Sequence, residues 1–410
     1  MSWRRTRLKY LAAVPIVNGV GEPAEFDDPA WPRYIRTTDI AGPRALRDDT
    51  FVSLPPETAA LAPVERGDIL MSAAGTVGRT YLHASDEPSC FAGYLVRFRP
   101  KQDVDPRFIS YWTQATPFVD QVAVGAVRST IDNFSAGKYQ NLWIDMPDLE
   151  EQRAIADYLD AETARIDALL EAKRRQAKLL VDHRRAVIDG FTVPAALGGQ
   201  ADAETAWPIA KLKRAAAFFA DGDWIESPFI TTDGIRLIQT GNIGEGIYRD
   251  QGYRYISDET FKTLGCTEVL PGDILISRLA GTVGRACLAP DLGTRMVVSV
   301  DVVIMRPVPD LDPAFAVAYF SSSYHIALAE LLARGTTMPR LSRSQVGELP
   351  IPVPPLAVQR RVVGEIERRL AGLSALQVAL DLQVARLLER RQALITVAVT
   401  GQLDIPGVAA

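Results

Sequence analysis

Two copies of one pentapeptide, Gly75-Thr76-Val77-Gly78-Arg79 and Gly281-Thr282-Val283-Gly284-Arg285, are the first candidates for chemistry. A glycine-rich turn lets backbone N–H groups converge on an anion, and the trailing Arg79 or Arg285 adds a side chain for a phosphate. The same glycines suit a tight strand-to-strand turn at positive φ, and spacing does not separate the two readings. Arg36-Thr37-Thr38-Asp39 and Gln239-Thr240-Gly241-Asn242 stand at matching places and offer side-chain types that read base edges or phosphates, from which Arg36, Thr37, Thr38, Gln239 and Asn242 are nominated. Arg128-Ser129-Thr130 and Arg334-Gly335-Thr336-Thr337 form a third pair and nominate Arg128 and Arg334. Arg278, inside the run GDILISRLAGTVGR, completes the set. Lys173, Arg174, Arg175, Lys178, Arg184 and Arg185 cluster further along, where a solvated charged face is the commoner explanation.

Signatures of catalysis are missing from the sequence. It has no GxxxxGK[ST] phosphate loop, no GxSxG elbow, no HExxH pair, and no Asn-Pro-Pro-aromatic or Asp-Pro-Pro-aromatic tetrad. His83, His183 and His325 lie far apart, and Cys90, Cys266 and Cys287 form no CxxC pair, so neither a metal site nor a disulfide framework is expected. No catalytic residue is nominated. Lys and Arg number 45 against 50 Asp and Glu, a net charge of −5, so any contact with nucleic acid has to be local. The N-terminus turns polar too soon for a signal peptide, and no membrane-spanning run of about 18 apolar residues is read. A soluble cytoplasmic protein is the expectation.

The elements that carry these motifs are duplicated. Trp3, Leu8 and Lys9 recur as Trp207, Leu212 and Lys213, Gly67-Asp68-Ile69-Leu70 as Gly272-Asp273-Ile274-Leu275, and Gln152-Arg153 as Gln359-Arg360. The order is kept while the offset drifts, as small insertions in tandem copies require. Each copy has a globular part, 1–147 and 207–354, in which short apolar runs between turns read as strands and less punctuated stretches as short helices, an α+β domain.

A long helix follows each globular part, over 148–193 and 355–401. Residues 194–206 are a linker and 402–410 a tail. Asp148 and Glu151 fit an N-terminal capping box, and Gly190 before Pro194 reads as the first helix's stop. Steps of seven give Leu159, Ile166, Lys173, Leu180 and Val187 in one helix and Ile366, Leu373, Leu380, Leu387 and Leu394 in the other, with Ile155, Leu169, Val362, Leu370 and Leu376 widening the stripe. Sustained heptads in coincident register favour the two helices packing on each other, as an antiparallel coiled coil, over each packing only on its own domain.

With these residues assembled, the chain resembles the specificity subunit of type I restriction-modification systems. The resemblance rests on the tandem plan, on GDILMSAAGTVGR and GDILISRLAGTVGR, and on LPIPVPPLAVQRRVVGEIERRL with its counterpart WIDMPDLEEQRAIADYLDAETARIDALL. It implies two target-recognition domains that read the halves of a bipartite double-stranded DNA site, spaced by the helices. It also implies two methyltransferase subunits and two restriction subunits, which hold the S-adenosylmethionine, ATP and Mg²⁺ chemistry, so that this chain needs no cofactor. A duplicated interaction scaffold without a DNA role, and an enzyme with a cryptic site, are the alternatives from the residues alone.

Overall fold

The computed structural model describes residues 3–126, 134–196, 207–333 and 340–405. The chain divides into two compact units, Met1–Arg174 with Leu382–Ala410, and Arg175–Asp381. Each unit therefore holds one globular domain together with part of both long helices.

In the first unit, strands Val17–Asn18, Leu95–Phe98, Ile69–Ser72 and Thr80–Leu82 form an antiparallel sheet in that order. The second unit repeats the order with Ala216–Asp221, Val302–Pro307, Ile274–Ser277 and Ala286–Leu288. Beside each lies a smaller sheet with one parallel pairing, Arg33–Ile35 on Ser89–Phe91 and Ile235–Ile238 on Met296–Val298. The first strand of each domain pairs with its last, Arg4–Arg7 with Trp143–Met146 and Ile209–Lys211 with Pro350–Pro352. The chain thus enters and leaves each domain along one edge.

The repeated GDIL tetrad is structural. Gly67 and Gly272 turn at positive φ, 92° and 87°. The aspartate that follows is buried and takes both arms of an arginine, Asp68 from Arg99 at 2.7 and 2.8 Å and Asp273 from Arg306 at 2.8 and 2.8 Å. A charge taken out of water needs such a bidentate partner.

The first long helix spans Leu149–Ala196 and the second Leu356–Val399. Asp148 and Glu151 form the capping box: the Glu151 N–H donates to Asp148 Oδ1 at 2.9 Å and the Asp148 N–H to Glu151 Oε2 at 3.3 Å. The helix does not stop at Gly190, which corrects the boundary read from sequence. Ile188 and Thr192 are buried and the Arg369 guanidinium lies 4.8 Å from the Phe191 ring, so packing carries the helix past the glycine.

The two long helices pack together. Asp167 meets Arg391 at 3.0 Å in the first unit and Phe191 meets Arg369 in the second, so residue numbers rise along one helix as they fall along the other, the antiparallel arrangement. Leu159, Ile166, Ile366 and Leu380 are buried, and Leu180, Val187, Leu373, Leu387 and Leu394 are half-buried. Leu169 and Leu376 do not belong to the seam, being 51% and 48% exposed; Leu170, one residue on, is buried instead. The ends of the helices also pack on the globular cores: Ile155, Leu159, Ile395 and Val399 join the first domain's core, and Ile188, Val362 and Ile366 the second's.

A buried glutamine fixes the start of each helix to its domain. Gln152 Oε1 accepts from the Asp105 N–H at 2.8 Å, and its amide donates to the carbonyls of Pro147 at 3.0 Å and Asp103 at 3.4 Å. Gln359 repeats this with Asp312, Pro354 and Asp310 at 2.7, 2.6 and 2.8 Å.

By length and mean hydropathy alone, 1.2 over 18 residues, one window of the second long helix suffices to cross a membrane, which corrects the reading that none does. Its Leu and Val content is that of a heptad stripe.

Candidate nucleic-acid interface

In both domains the chain leaves the small sheet through a short 3₁₀ turn, Thr37–Asp39 and Thr240–Asn242. The last residue of each turn reaches back to the backbone: Asp39 Oδ2 accepts from the Arg36 N–H at 2.7 Å, and Asn242 Oδ1 from the Gln239 N–H at 2.9 Å. This local bond is why an Asp or Asn stands there.

Several nominated side chains prove to be occupied by these turns. Arg36 places Nε and Nη2 on Asp39 at 3.1 and 2.8 Å and also donates to the Thr50 carbonyl at 2.8 Å. Asn242 is buried, and its amide nitrogen donates to the carbonyls of Arg249 and Gln251 at 2.9 and 2.8 Å. The Thr37 hydroxyl is enclosed without a hydrogen-bond partner among the described residues, whereas Thr38 is exposed. Gln239 is half-buried at the edge of an open cavity.

The GTVGR segments are tight turns. Gly75, Gly78, Gly281 and Gly284 have φ of 77°, 84°, 78° and 78°. The N–H of Gly78 donates to Ser72 and that of Gly284 to Ser277, while those of Arg79 and Arg285 donate to Thr76 and Thr282. These bonds spend the amides of Gly78, Arg79, Gly284 and Arg285 inside the turns, so of the two readings the tight turn is the one the structure shows, with Arg79 and Arg285 at its end. Arg79 is exposed and donates to the Ile40 carbonyl at 3.2 Å, which places it beside the Thr37–Asp39 turn. Two of the three sequence motifs of the first domain therefore meet. Arg285 is more confined, 3.5 Å from Glu245, a carboxylate that also takes Arg185 of the first long helix at 2.9 Å.

Arg278 has to be reassigned. It is 5% exposed, bonds the carbonyls of Val300 and Leu341, and lies 3.4 Å from Asp221, so it braces the domain from inside. Desolvation lowers its pKa, as burial of a cation does. Arg128 and Arg334 lie outside the described residues.

Sequence reasoning missed Tyr94, which is 70% exposed on the turn before Leu95–Phe98; its carbonyl accepts from the Ala73 N–H at 2.8 Å, next to the GTVGR turn. It also missed Glu245. The signal for Tyr94 was a large aromatic at a turn between two strands. For Glu245 there was none, because its partners are distant in sequence.

The three cysteines are free and buried, with burial pushing the thiols of Cys90 and Cys287 up to about 12 and that of Cys266 to about 11. Among the described residues no three His, Cys, Asp or Glu side chains gather as metal ligands.

Residues 33–179 and 220–369 match the family described as Type I restriction modification DNA specificity domain, once in each copy. The specificity subunit of the type I restriction enzyme EcoKI from Escherichia coli (strain K12) is 21% identical over 327 residues, covering 76% of this chain and 69% of that protein. The StySPI specificity subunit from Salmonella potsdam is 24% identical over 98 residues, 24% of this chain and 21% of that protein. A solved structure from work on complex assembly and conformational transition of the type I R-M system superposes with a TM-score of 0.61 over 98% of both chains at 18% identity, a likeness of fold. With matched segments spanning well over half of its length, the chain belongs to the type I restriction-modification DNA specificity family and carries the family's domain twice.

Proposed function

We propose that this chain is the address reader and scaffold of a type I restriction-modification complex. Each recognition domain contacts one half of a bipartite duplex site, and the paired long helices set the gap between the halves. Two methyltransferase subunits and two restriction subunits assemble on it and supply the S-adenosylmethionine, ATP and Mg²⁺ chemistry, while this chain performs none itself. Its place is the cytoplasm, with the DNA. The observation that carries the reading is the duplication: two domains with sheets of one strand order, each domain pairing its first strand with its last and each joined to the antiparallel helix pair.

The net charge of −5 fits a subunit that binds DNA weakly alone and gains phosphate contacts from its partners. Exposed Arg79 and the half-buried Gln239 are the nominated side chains best placed to meet a duplex.

The test exchanges residues 207–354 for the equivalent domain of another family member and sequences the DNA methylated by the assembled complex. One half of the motif should change and the other should stay. A change in both halves, or in neither, would overturn independent reading.

A further inference from the structure

We propose that the second recognition domain reads an adenine from the major groove with Gln239, and that Asp301 rejects guanine at the same position. This rests on the DNA-reading function above and deepens it to one base.

A cavity of about 460 Å³ opens where three turns of this domain meet: Gln239–Asn242, Leu279 at the head of the GTVGR turn, and Ser299–Asp301 before strand Val302–Pro307. Its lining is rich in acceptors because the nearby amide donors are used elsewhere. Asn242 Nδ2 serves two carbonyls, and Gln251 Nε2 donates to the Gly241 carbonyl at 2.8 Å, which leaves Gln251 Oε1 and the Asp301 carboxylate as acceptors beside the Thr240 and Ser299 hydroxyls. Arg340 orients that carboxylate from 2.7 Å. Among the described residues the Gln239 side-chain amide has no hydrogen-bond partner, and its half-buried position leaves it one donor and one acceptor to present.

That pair matches adenine, whose N7 accepts and whose N6 amino group donates. Guanine keeps N7 but replaces the amino group with O6, an acceptor that would face Asp301 and Gln251 Oε1. The first domain differs at the same structural position. The Ala73 N–H donates to the Tyr94 carbonyl just as the Arg278 N–H donates to that of Asp301, and Arg36, in the place of Gln239, is bound to Asp39. An exposed tyrosine and a tethered arginine cannot make the adenine contact, so the two halves of the site differ here.

The test selects bound duplexes from a pool with randomised half-sites, using the full chain assembled with its methyltransferase partner. At one position of the half-site that follows residues 207–354 in the domain exchange, the wild type should prefer adenine over guanine by roughly 5- to 150-fold. Asp301→Asn keeps the shape, and its amide nitrogen can donate to O6, so guanine should become accepted there while other positions hold. Gln239→Ala should weaken selection of adenine at that position by a similar factor. Circular dichroism and a thermal melt check that both variants fold, and because Gln239 is only half-buried its truncation serves if Asp301→Asn does not. An unchanged adenine-to-guanine ratio in folded variants, or an effect spread evenly over all sequences, overturns the inference. Selection of no sequence by the wild-type complex would instead overturn the DNA-reading function itself.

Discussion

Replacing Gln359 or Gln152 by alanine tests whether the helix starts are locked to the domains by one side chain each. In the second unit Gln359 is fully buried and satisfies the Asp312 N–H and the carbonyls of Asp310 and Pro354 at 2.6–2.8 Å. Truncation leaves one buried donor and two acceptors unpaired. A stranded buried donor costs about 1–3 kcal/mol, carbonyls with a second lone pair cost less, and the lost packing adds to this, so about 2–4 kcal/mol is expected. For a unit of this size that is roughly 5–15 °C in Tm. Calorimetry reads the stability, and hydrogen exchange of the Asp312 amide reads the local bond. Gln359→Glu sharpens the test: its carboxylate still accepts from Asp312 but faces two carbonyls, so the variant should be destabilised at pH 7 and recover partly on acidification. A loss below about 1 kcal/mol with unchanged exchange at Asp312 would show that the helix is held by its apolar contacts alone.

Two further outcomes follow from buried and exposed charge. His325 is fully enclosed between Tyr319 and Phe320, and burial pushes its imidazole down to about 4 from an ordinary 6.5. Its contribution is fully present above pH 6.5 and is lost as pH falls towards 4, by about 3 kcal/mol, so His325→Phe, which copies Phe118 of the first domain, should flatten the acid limb of a urea-stability profile; an unaltered limb would refute this. Arg79→Ala should weaken DNA binding of the assembled complex across all sequences and lower the salt slope by about one, whereas Arg285→Ala should do less because Glu245 already holds that arginine. Equal losses in binding titrations at several salt concentrations would count against the difference in confinement.

The duplication and the two long helices were legible because repeated motifs and heptads are properties of sequence order. Side-chain occupation was not. Arg36, Asn242 and Arg278 have the chemistry of base and phosphate readers, yet the same hydrogen-bonding capacity secures a turn or braces a core, and residue type does not say which. Paired position was no guide either, since Asp39 and Asn242 recur because both turns need an acceptor at their third residue. The seam was misread at Leu169 because steps of seven mark one of the two stripe positions per heptad, and the neighbouring Leu170 fills the other. Gly190 misled for a different reason: a glycine stops a helix only where nothing beyond it packs, and Phe191 and Thr192 do.

Each globular domain opens and closes on a single pair of hydrogen-bonded strands, so Arg4 stands opposite Met146 and Ile209 opposite Pro352. Cα atoms on facing rungs of an antiparallel ladder are only about 5 Å apart. Topologically each domain is then a cassette joined to a helical frame through two adjacent chain connections. Foreign sequence joined at those two strands has to match that short junction and the helix ends that pack on the core, while the turns between the other strands can differ. Under the proposed function, such an exchange at the strand pair changes the address while the helical frame is kept.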